Sequence, residues 1–446
     1  MNNHRYLPLV VLVLCLLPLR PMAVAPTQLP TWGQEPLETQ SATRAAICLN
    51  GLWKFMPASA PAASVPDNDW GWIRVPGSWC GSGWPPVLAT VQQPGSGPQW
   101  RDFSGARSAG MQTYRVWYER PLAIPAAWAG RAILVDFARV GTDAKVFIND
   151  QECGAVSWPR GTVDITRWVT PGSPATLRLL VAAVPEYGDV TVYMGTAVEQ
   201  VSTTKAEVRA RGLIGDVLLV ARPRGAHITD VFVQPSVRRK QLTLTVEIAD
   251  VAQAGMVQMQ PRIYNPDGTL AKELPAVQVL LSNVPLQEVT FSWPWLAPRL
   301  WEYCDPHLYT LQLQVRGAGM ADDYPQQFGF REVWLAGKHF YLNGKEFRWR
   351  PMLGDDCLGN RANIAALIDE AREAGFNIME LWPNDTSLRG EQEYQEQALA
   401  VADAKGWPVM ARAASLNRWM GADWEKPEVK ARWRRAMQAE LRRVRN

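Results

Sequence analysis

The chain has few residues of the kinds that bind metals or cross-link small domains. It contains 6 cysteines and 4 histidines among 446 residues, and no two cysteines form a C-x-x-C pair. Zinc sites and dense disulfide frameworks need closely spaced ligands or cysteines, so neither is indicated. The sequence therefore predicts no metal site and no cofactor, and it leaves open how the five cysteines after residue 25 are paired.

Motifs for phosphate binding and for serine nucleophiles are also missing. No P-loop, G-x-G-x-x-G or G-x-S-x-G occurs, which disfavours nucleotide enzymes and serine hydrolases. The 46 basic and 43 acidic residues leave a net charge of +3, which is too balanced to indicate a nucleic-acid partner. The unusual feature is the 21 tryptophans. Indole rings stack on sugars, but large sandwich cores also use tryptophan as filler, and both interpretations stay open here.

The N-terminus has the features of an export signal. Arg5 lies in a short polar region, residues 7–17 are apolar, and Ala23-Val24-Ala25 matches the small-x-small cleavage rule. The apolar run is too short to span a membrane comfortably as a helix. We therefore expect a signal peptide at residues 1–25, no stable membrane span after its removal, and a secreted or periplasmic protein.

Short alternating strands fill most of the chain. Over residues 41–223 they are separated by proline and glycine, as in the Thr113-to-Tyr118 segment, which predicts a β-sandwich of the jelly-roll type. Residues 224–331 carry about seven more strands, the size of an immunoglobulin-like sandwich. The Cys…Trp…Cys signature of antibody domains is absent. Asn149-Asp150 and the segment 265–268 predict tight turns.

The pattern changes from β to alternating β and α after Phe347. The predicted elements are strand 347–350, helix 360–374, strand 377–382, helix 391–405, strand 408–411 and helix 427–443. This order predicts that residues 332–446 begin a parallel α/β domain. The fold class is therefore multidomain, mostly β and then α/β.

Six short segments carry a resemblance to one enzyme family. They are L-N-G-L-W-K-F at 49–55, V-P-G-S-W at 75–79, Y-R-V-W-Y at 114–118, G-L-I-G-D-V at 212–217, F-G-F-R-E at 328–332 and F-Y-L-N-G-K at 340–345. In this order they resemble glycoside hydrolase family two, which includes β-galactosidases, β-glucuronidases and β-mannosidases. The resemblance implies a jelly-roll sugar-binding-type sandwich, an immunoglobulin-like sandwich and a (β/α)8 TIM barrel. About three βα units of that barrel would lie in this chain.

Candidate substrate-binding residues follow the predicted barrel strands. Asp355 and Asp356 come after the first strand, and Trp382, Asn384 and Asp385 come after the second. Residues just past the C-terminal ends of barrel strands face the active site. These polar groups are therefore candidates to bind sugar hydroxyls, with Trp382 as a stacking platform. The alternative is a solvated loop for the two adjacent aspartates and packing at the barrel rim for Trp382.

The resemblance implies that the catalytic groups lie beyond Asn446. A retaining glycosidase needs two carboxyl groups roughly 5–5.5 Å apart across the sugar. In this family one is a Glu acid/base in an Asn-Glu pair after the fourth barrel strand, and the other is a Glu nucleophile after the seventh. No Asn-Glu dipeptide occurs in the sequence. We therefore expect a glycosidase of carbohydrate metabolism whose present chain lacks the catalytic pair, or alternatively an exported, non-catalytic carbohydrate-binding or scaffold protein.

The predicted partner is a β-glycoside or glycan, but the sequence does not identify the sugar. Asp355-Asp356 replaces the His-Glu pair usual in the galactosidase and glucuronidase branches of the family. The segment 382–385, Trp-Pro-Asn-Asp, replaces the usual Gly-rich or His-containing loop after the second strand. Sugar, linkage and oligomeric state are therefore left open.

Overall fold

The structure, a computed structural model, describes residues 41–58, 64–66, 70–79, 113–141, 143–157, 160–183, 190–194, 197–201, 211–353, 361–381, 395–411, 424–431, 433, 434 and 438. Within these ranges the chain is mostly β, and buried hydrophobic side chains form three separate cores. No helix in this part of the chain is long and apolar enough to cross a membrane.

The first fourteen strands belong to a region that we call the first sandwich. They are β1 (Ala45–Cys48), β2 (Gly51–Pro57), β3 (Gly71–Val75), β4 (Arg115–Ala123), β5 (Ala132–Phe137), β6 (Val140–Gly141), β7 (Asp143–Ile148), β8 (Gln151–Ser157), β9 (Gly161–Asp164), β10 (Pro174–Ala182), β11 (Val190–Met194), β12 (Ala197–Val201), β13 (Gly212–Leu213) and β14 (Val217–Arg222). The two main antiparallel sheets have the orders β1-β14-β5-β9 and β3-β2-β4-β10-β7-β8.

Side chains alternate between the two faces of each strand in the first sandwich, and those on the buried faces form its core. In β2, Trp53 and Phe55 are both 0% exposed, whereas Lys54 between them lies on the other face and pairs with Glu119 at 2.6 Å. The predicted hairpin turn joins β7 to β8, where Asn149 and Asp150 have φ values of 47° and 68°. Both central residues of a type I′ turn need positive φ, which asparagine and aspartate tolerate.

Eight strands form a region that we call the second sandwich, where the sequence predicts about seven. They are β15 (His227–Ser236), β16 (Gln241–Ala249), β17 (Gly255–Tyr264), β18 (Leu270–Glu273), β19 (Val277–Leu281), β20 (Leu286–Pro294), β21 (Leu308–Gly317) and β22 (Met320–Gly329). One sheet has the order β15-β16-β20, and the other has the order β18-β17-β21-β22, with β19 paired to β17. In the predicted turn after β17, Gly268 donates its N–H to the Asn265 carbonyl at 2.9 Å.

A buried ion pair joins the two sandwiches. Asp322 on β22 is 0% exposed and accepts from Arg44 Nε at 2.8 Å and Arg44 Nη2 at 2.5 Å. The Thr43 hydroxyl and the Ile228 N–H also donate to this carboxylate, at 3.1 and 2.9 Å. Because all of these donors converge on one buried carboxylate, the segment that precedes β1 is fixed to the second sandwich.

A hairpin and a parallel three-stranded sheet follow. The hairpin strands are β23 (Val333–Ala336), β24 (His339–Leu342) and β25 (Lys345–Glu346), and the parallel strands are β26 (Pro351–Leu353), β27 (Ile378–Leu381) and β28 (Val409–Ala411). Helices α1 (Arg361–Glu373) and α2 (Gln395–Lys405) connect the parallel strands. The first four residues of the second predicted helix, and most of the last one, lie outside the described residues, although residues 427–431 are helical.

The prediction of a strand at Phe347–Arg350 is wrong, because the first parallel strand begins at Pro351. Phe347 donates its N–H to the Phe340 carbonyl at 2.8 Å, and Trp349 stacks on Phe340 with ring centroids 3.9 Å apart. The Arg350 N–H donates to the side chain of Asn377 at 2.7 Å. These contacts hold residues 347–350 against the hairpin and use backbone groups that a strand ladder would need.

Candidate functional site

The carboxyl ends of β26, β27 and β28 meet at one edge of the parallel sheet, which we call the C-terminal edge. Leu353, the last residue of β26, is in register with Glu380, and Leu381, the last residue of β27, is in register with Ala411 at the end of β28. The loops after the three strands therefore leave from the same edge. This is where an α/β sheet presents its ligand-binding loops.

The predicted site residues belong to these loops. Asp355, Asp356, Trp382, Asn384 and Asp385 all lie outside the described residues. The structure brings together the strand ends that precede them, and their roles stay predictions. Among the described residues, no group of three or more histidine, cysteine, aspartate or glutamate side chains is arranged to hold a metal ion.

One face of the parallel sheet is packed by the two helices. Met379 and Leu381 are 0% and 6% exposed and lie in a core with Ile364 and Ile368 of α1 and Ala402 of α2. Met352 and Val409, on the flanking strands, pack against the same core. Side chains alternate along a strand, so the residues between these positions point to the opposite face, which we call the inner face.

Glu380 lies on the inner face, and the sequence reasoning missed it. It is half-buried between Leu353 of β26 and Met410 of β28, its partners in register. The available signal was a single charged residue inside the apolar run from Ile378 to Leu381. A carboxylate one residue before the end of a parallel strand can accept hydrogen bonds from a ligand at the C-terminal edge.

The opposite end of the inner face is closed by the chain itself. Asn377 is 5% exposed, and its side-chain amide donates to the Arg348 carbonyl at 2.8 Å. The Asn377 N–H donates to the Arg350 carbonyl at 3.1 Å. Ile378, on the same face as Glu380, is only 3% exposed. The segment before β26 therefore covers the end of β27 that lies opposite the C-terminal edge.

The second sandwich holds the α/β unit in place through the loop between β20 and β21. Trp301 is 1% exposed and donates its indole N–H to the Asp403 carbonyl of α2 at 2.8 Å. Arg331 pairs with the Asp403 carboxylate at 2.7 Å and lies over the Trp301 ring at 4.3 Å. The Cys304 N–H donates to the Gly406 carbonyl at 2.9 Å.

Among the described residues, the titratable groups with shifted pKa values lie away from the C-terminal edge. A hydrogen bond from Lys405 lowers the pKa of Asp369, which joins α1 to α2 on the helix side of the unit. In the first sandwich, burial raises the pKa of Asp136, although a hydrogen bond from Thr162 opposes the rise. Burial also raises the pKa of the Cys153 thiol to about 11, which leaves it a poor nucleophile.

Several tryptophans fill cores. Trp53, Trp79, Trp301 and Trp407 are each 0–1% exposed and are among the largest fully buried side chains of the described residues. The indole N–H groups of Trp53 and Trp79 donate to backbone carbonyls at 2.8 and 3.1 Å. For these four residues the filler interpretation holds, because a buried ring offers no face to a sugar.

The second sandwich matches a known family model. Residues 226–331 match the family model described as glycosyl hydrolases family 2. That segment covers β15 to β22 and ends at Arg331, which contacts the α/β unit. The second sandwich is therefore similar to the glycosyl hydrolases of family 2.

Similarity to curated proteins extends beyond the second sandwich. The chain is 22% identical over 327 residues to a β-glucuronidase of Paenibacillus borealis, covering 68% of this chain and 50% of the relative. It is 24% identical over 392 residues to a β-galactosidase of Bacteroides ovatus, covering 83% of this chain and 41% of the relative. The chain thus spans about half the length of these curated relatives.

A solved structure supports the same fold. The crystal structure of a family 2 member from Bacteroides cellulosilyticus matches with a TM-score of 0.58 and 20% sequence identity, over 82% of this chain and 47% of that one. At this identity the likeness establishes the fold only.

Proposed function

We propose that this chain is the sugar-recognising N-terminal part of an exported retaining β-glycosidase, in which β26–β28 begin a (β/α)8 barrel. The supporting observation is the parallel β26-α1-β27-α2-β28 order, which follows the sandwich that the family model matches and the hairpin of β23 to β25. A parallel strand followed by a covering helix is the repeating unit of such a barrel. The names of the relatives, a β-glucuronidase and a β-galactosidase, support a glycoside substrate.

In this proposal the loops at the C-terminal edge bind the sugar. Asp355, Asp356, Asn384 and Asp385 accept or donate hydrogen bonds to its hydroxyls, and Trp382 stacks on its ring. The acid/base and the nucleophile are two glutamates on later barrel strands. One has a raised pKa so that it protonates the leaving oxygen, and the other attacks the anomeric carbon from the opposite face. The 446-residue chain alone is then inactive.

The test is a hydrolysis panel with the nitrophenyl β-galactoside, β-glucuronide, β-mannoside and β-glucoside. We expect no turnover above background by the 446-residue chain. A form extended through a complete barrel is expected to hydrolyse at least one glycoside with retention, because its carboxyl groups lie at the shorter separation, roughly 5–5.5 Å.

Two results would contradict the proposal. Turnover by the short chain that is lost in Asp355→Asn or Asp356→Asn would place the chemistry on these aspartates instead. Failure of the extended form on every glycoside, with glycan binding intact, would favour a non-catalytic carbohydrate-binding protein.

A further inference from the structure

Strand β20 lies at one edge of its sheet in the second sandwich. It pairs with β16 through all nine of its residues and without a bulge. Among the described residues, no strand pairs with its other side. Val289 and Phe291 point toward the core but are only half-buried, whereas Val246 and Leu244, their partners in register on β16, are 0% exposed. The core-facing side chains of β20 are therefore incompletely covered at this edge.

Every second residue of β20 directs its backbone groups away from the sheet. Just past the strand, the Trp295 N–H donates to the Lys240 carbonyl at 2.8 Å, in the same register as the β16–β20 ladder. In an antiparallel pair, residues that bond to the neighbouring strand alternate with residues whose N–H and C=O point the other way. The odd-numbered residues of β20 therefore bond to β16. The even-numbered ones, among them Leu286, Thr290 and Ser292, direct their backbone groups outward.

Another long edge strand of the second sandwich is protected, whereas β20 is not. On β22 the Asp323 N–H donates to the Thr43 hydroxyl oxygen at 2.8 Å, and the Asp323 carbonyl accepts from the Ser41 hydroxyl at 2.5 Å. Pro325, two residues later, has no N–H to offer. Strand β20 contains no lysine, and its one proline is its last residue. A long, flat edge without such protection is a template for pairing with another chain.

We propose that the partner at this edge is a second copy of the same chain. The two β20 strands pair antiparallel about a two-fold axis at Thr290, which joins two β15-β16-β20 sheets into one. A two-fold contact of this kind requires a surface that is complementary to itself. In this register the outward N–H groups of Leu286, Thr290 and Ser292 each face a carbonyl of the second copy. The inference goes beyond the proposed function and does not depend on it.

The side chains of β20 fit this self-pairing. Glu288 is the only charged residue of the strand, and the axis places it opposite Ser292 of the second copy. An axis two residues earlier would set Glu288 against Glu288, and like charges directly opposite each other destabilise a sheet. Leu286, which is 54% exposed, comes opposite Pro294 and close to Leu296, which is 75% exposed. The arrangement that separates the charges thus also covers the exposed apolar side chains at the two ends of the strand.

Sedimentation velocity of the 446-residue chain tests the proposal. We expect a monomer–dimer equilibrium in which the dimer fraction rises with protein concentration. Thr290→Pro removes the outward N–H at the centre of the pairing, and it is expected to stay monomeric at concentrations where the wild-type chain is mostly dimeric. Thr290→Val is the matched control, because it keeps the N–H and the branched shape while losing the same hydroxyl contact with Thr245. It should dimerise as the wild-type chain does.

Two variants at one position test the register. Ser292→Lys and Ser292→Glu both lose the contact with Thr243, and they differ in the sign of the charge that faces Glu288 of the second copy. Opposite charges across a strand pair stabilise it and like charges destabilise it. The dissociation constant of the Ser292→Glu dimer should therefore exceed that of the Ser292→Lys dimer about tenfold or more.

Three results would overturn the proposal. They are a wild-type chain that is monomeric at every concentration, a dimer that a folded Thr290→Pro variant leaves intact, and equal dissociation constants for the two Ser292 variants. Circular dichroism checks the folding of each variant. If Thr290→Pro does not fold, the comparison of Ser292→Lys with Ser292→Glu decides alone.

Discussion

The two glycines that follow helices α1 and α2 provide a matched test of how the α/β unit is attached. Gly375 and Gly406 have φ values of +89° and +64°. An added Cβ at Gly375 meets nothing within 4 Å, whereas at Gly406 it would lie 2.8 Å from Cys304 N and 2.9 Å from Glu302 O. Alanine at either site carries the cost of a left-handed residue, but only Gly406→Ala collides with the loop of the second sandwich.

The contacts at the two glycines set the expected difference in stability between the two variants. A left-handed alanine costs about 1–2 kcal/mol, and this is the whole effect expected for Gly375→Ala. In Gly406→Ala the loop must also move, which costs about 1–3 kcal/mol in overpacking strain. The hydrogen bond from Cys304 to the Gly406 carbonyl is lost as well. Because Gly406 is buried, its carbonyl is then left unsatisfied, at a cost of about 1–3 kcal/mol. We therefore expect Gly406→Ala to exceed Gly375→Ala by at least about 2 kcal/mol.

Amide hydrogen exchange at Cys304 measures the loss of local stability in each variant. A loss of about 2 kcal/mol in local stability speeds exchange through opening roughly 30-fold. The faster exchange is expected in Gly406→Ala only, while Gly375→Ala leaves the Cys304 amide as protected as in wild type. Equal exchange in the two variants would show that the loop is not held by the turn at Gly406.

Three further predictions concern the sandwiches and the N-terminus. Asp322→Asn is expected to lower the free energy of unfolding by about 3–5 kcal/mol in urea titrations, because it removes the buried charge that pairs with Arg44. Asp305→Asn, which disrupts an exposed pair, should have little effect. Burial alone would raise the pKa of Glu332, but hydrogen bonds from Arg238 lower it. The stabilisation that the ionised Glu332 contributes is therefore present above the ordinary glutamate pKa of about 4.3, and it is lost as the pH falls through the lowered pKa. Glu332→Gln should flatten this pH dependence in acid unfolding curves. N-terminal sequencing of the exported protein should start after residue 25, and an intact first residue there would contradict an export signal.

Local sequence patterns were sufficient for much of the fold. Period-two alternation predicted a strand in the Thr113-to-Tyr118 segment, where β4 begins at Arg115, and the spacing of Ile364 and Ile368 predicted α1. The turn at Asn149-Asp150 follows from the tolerance of these residues for positive φ. Each of these features is determined by residues that are close together in the sequence, so the sequence pattern is enough to predict it.

Features that depend on distant residues were not predictable in this way. The Arg44–Asp322 pair joins positions 278 residues apart, and nothing near Arg44 indicates its partner. The first parallel strand was placed too early because Phe347 and Trp349 look like strand residues. Instead, Phe347 donates its N–H to the Phe340 carbonyl and Trp349 stacks on the Phe340 ring. Glu380 was not singled out because the face of β27 on which it lies depends on which face the helices cover.

The second sandwich sets the orientation of both of its neighbours through buried polar contacts. On one side Asp322 binds Arg44, and on the other Trp301 and Arg331 bind Asp403. Polar contacts of this kind require defined directions, whereas apolar packing alone tolerates some sliding. The C-terminal edge therefore has a set orientation relative to the first sandwich. A long glycan bound at this edge could also contact the first sandwich, and that contact depends on the set orientation. A monosaccharide would not extend that far. Asp322→Asn should therefore weaken the binding of long glycans more than that of monosaccharides. An equal loss for both lengths, measured by calorimetry, would show that the first sandwich takes no part in binding.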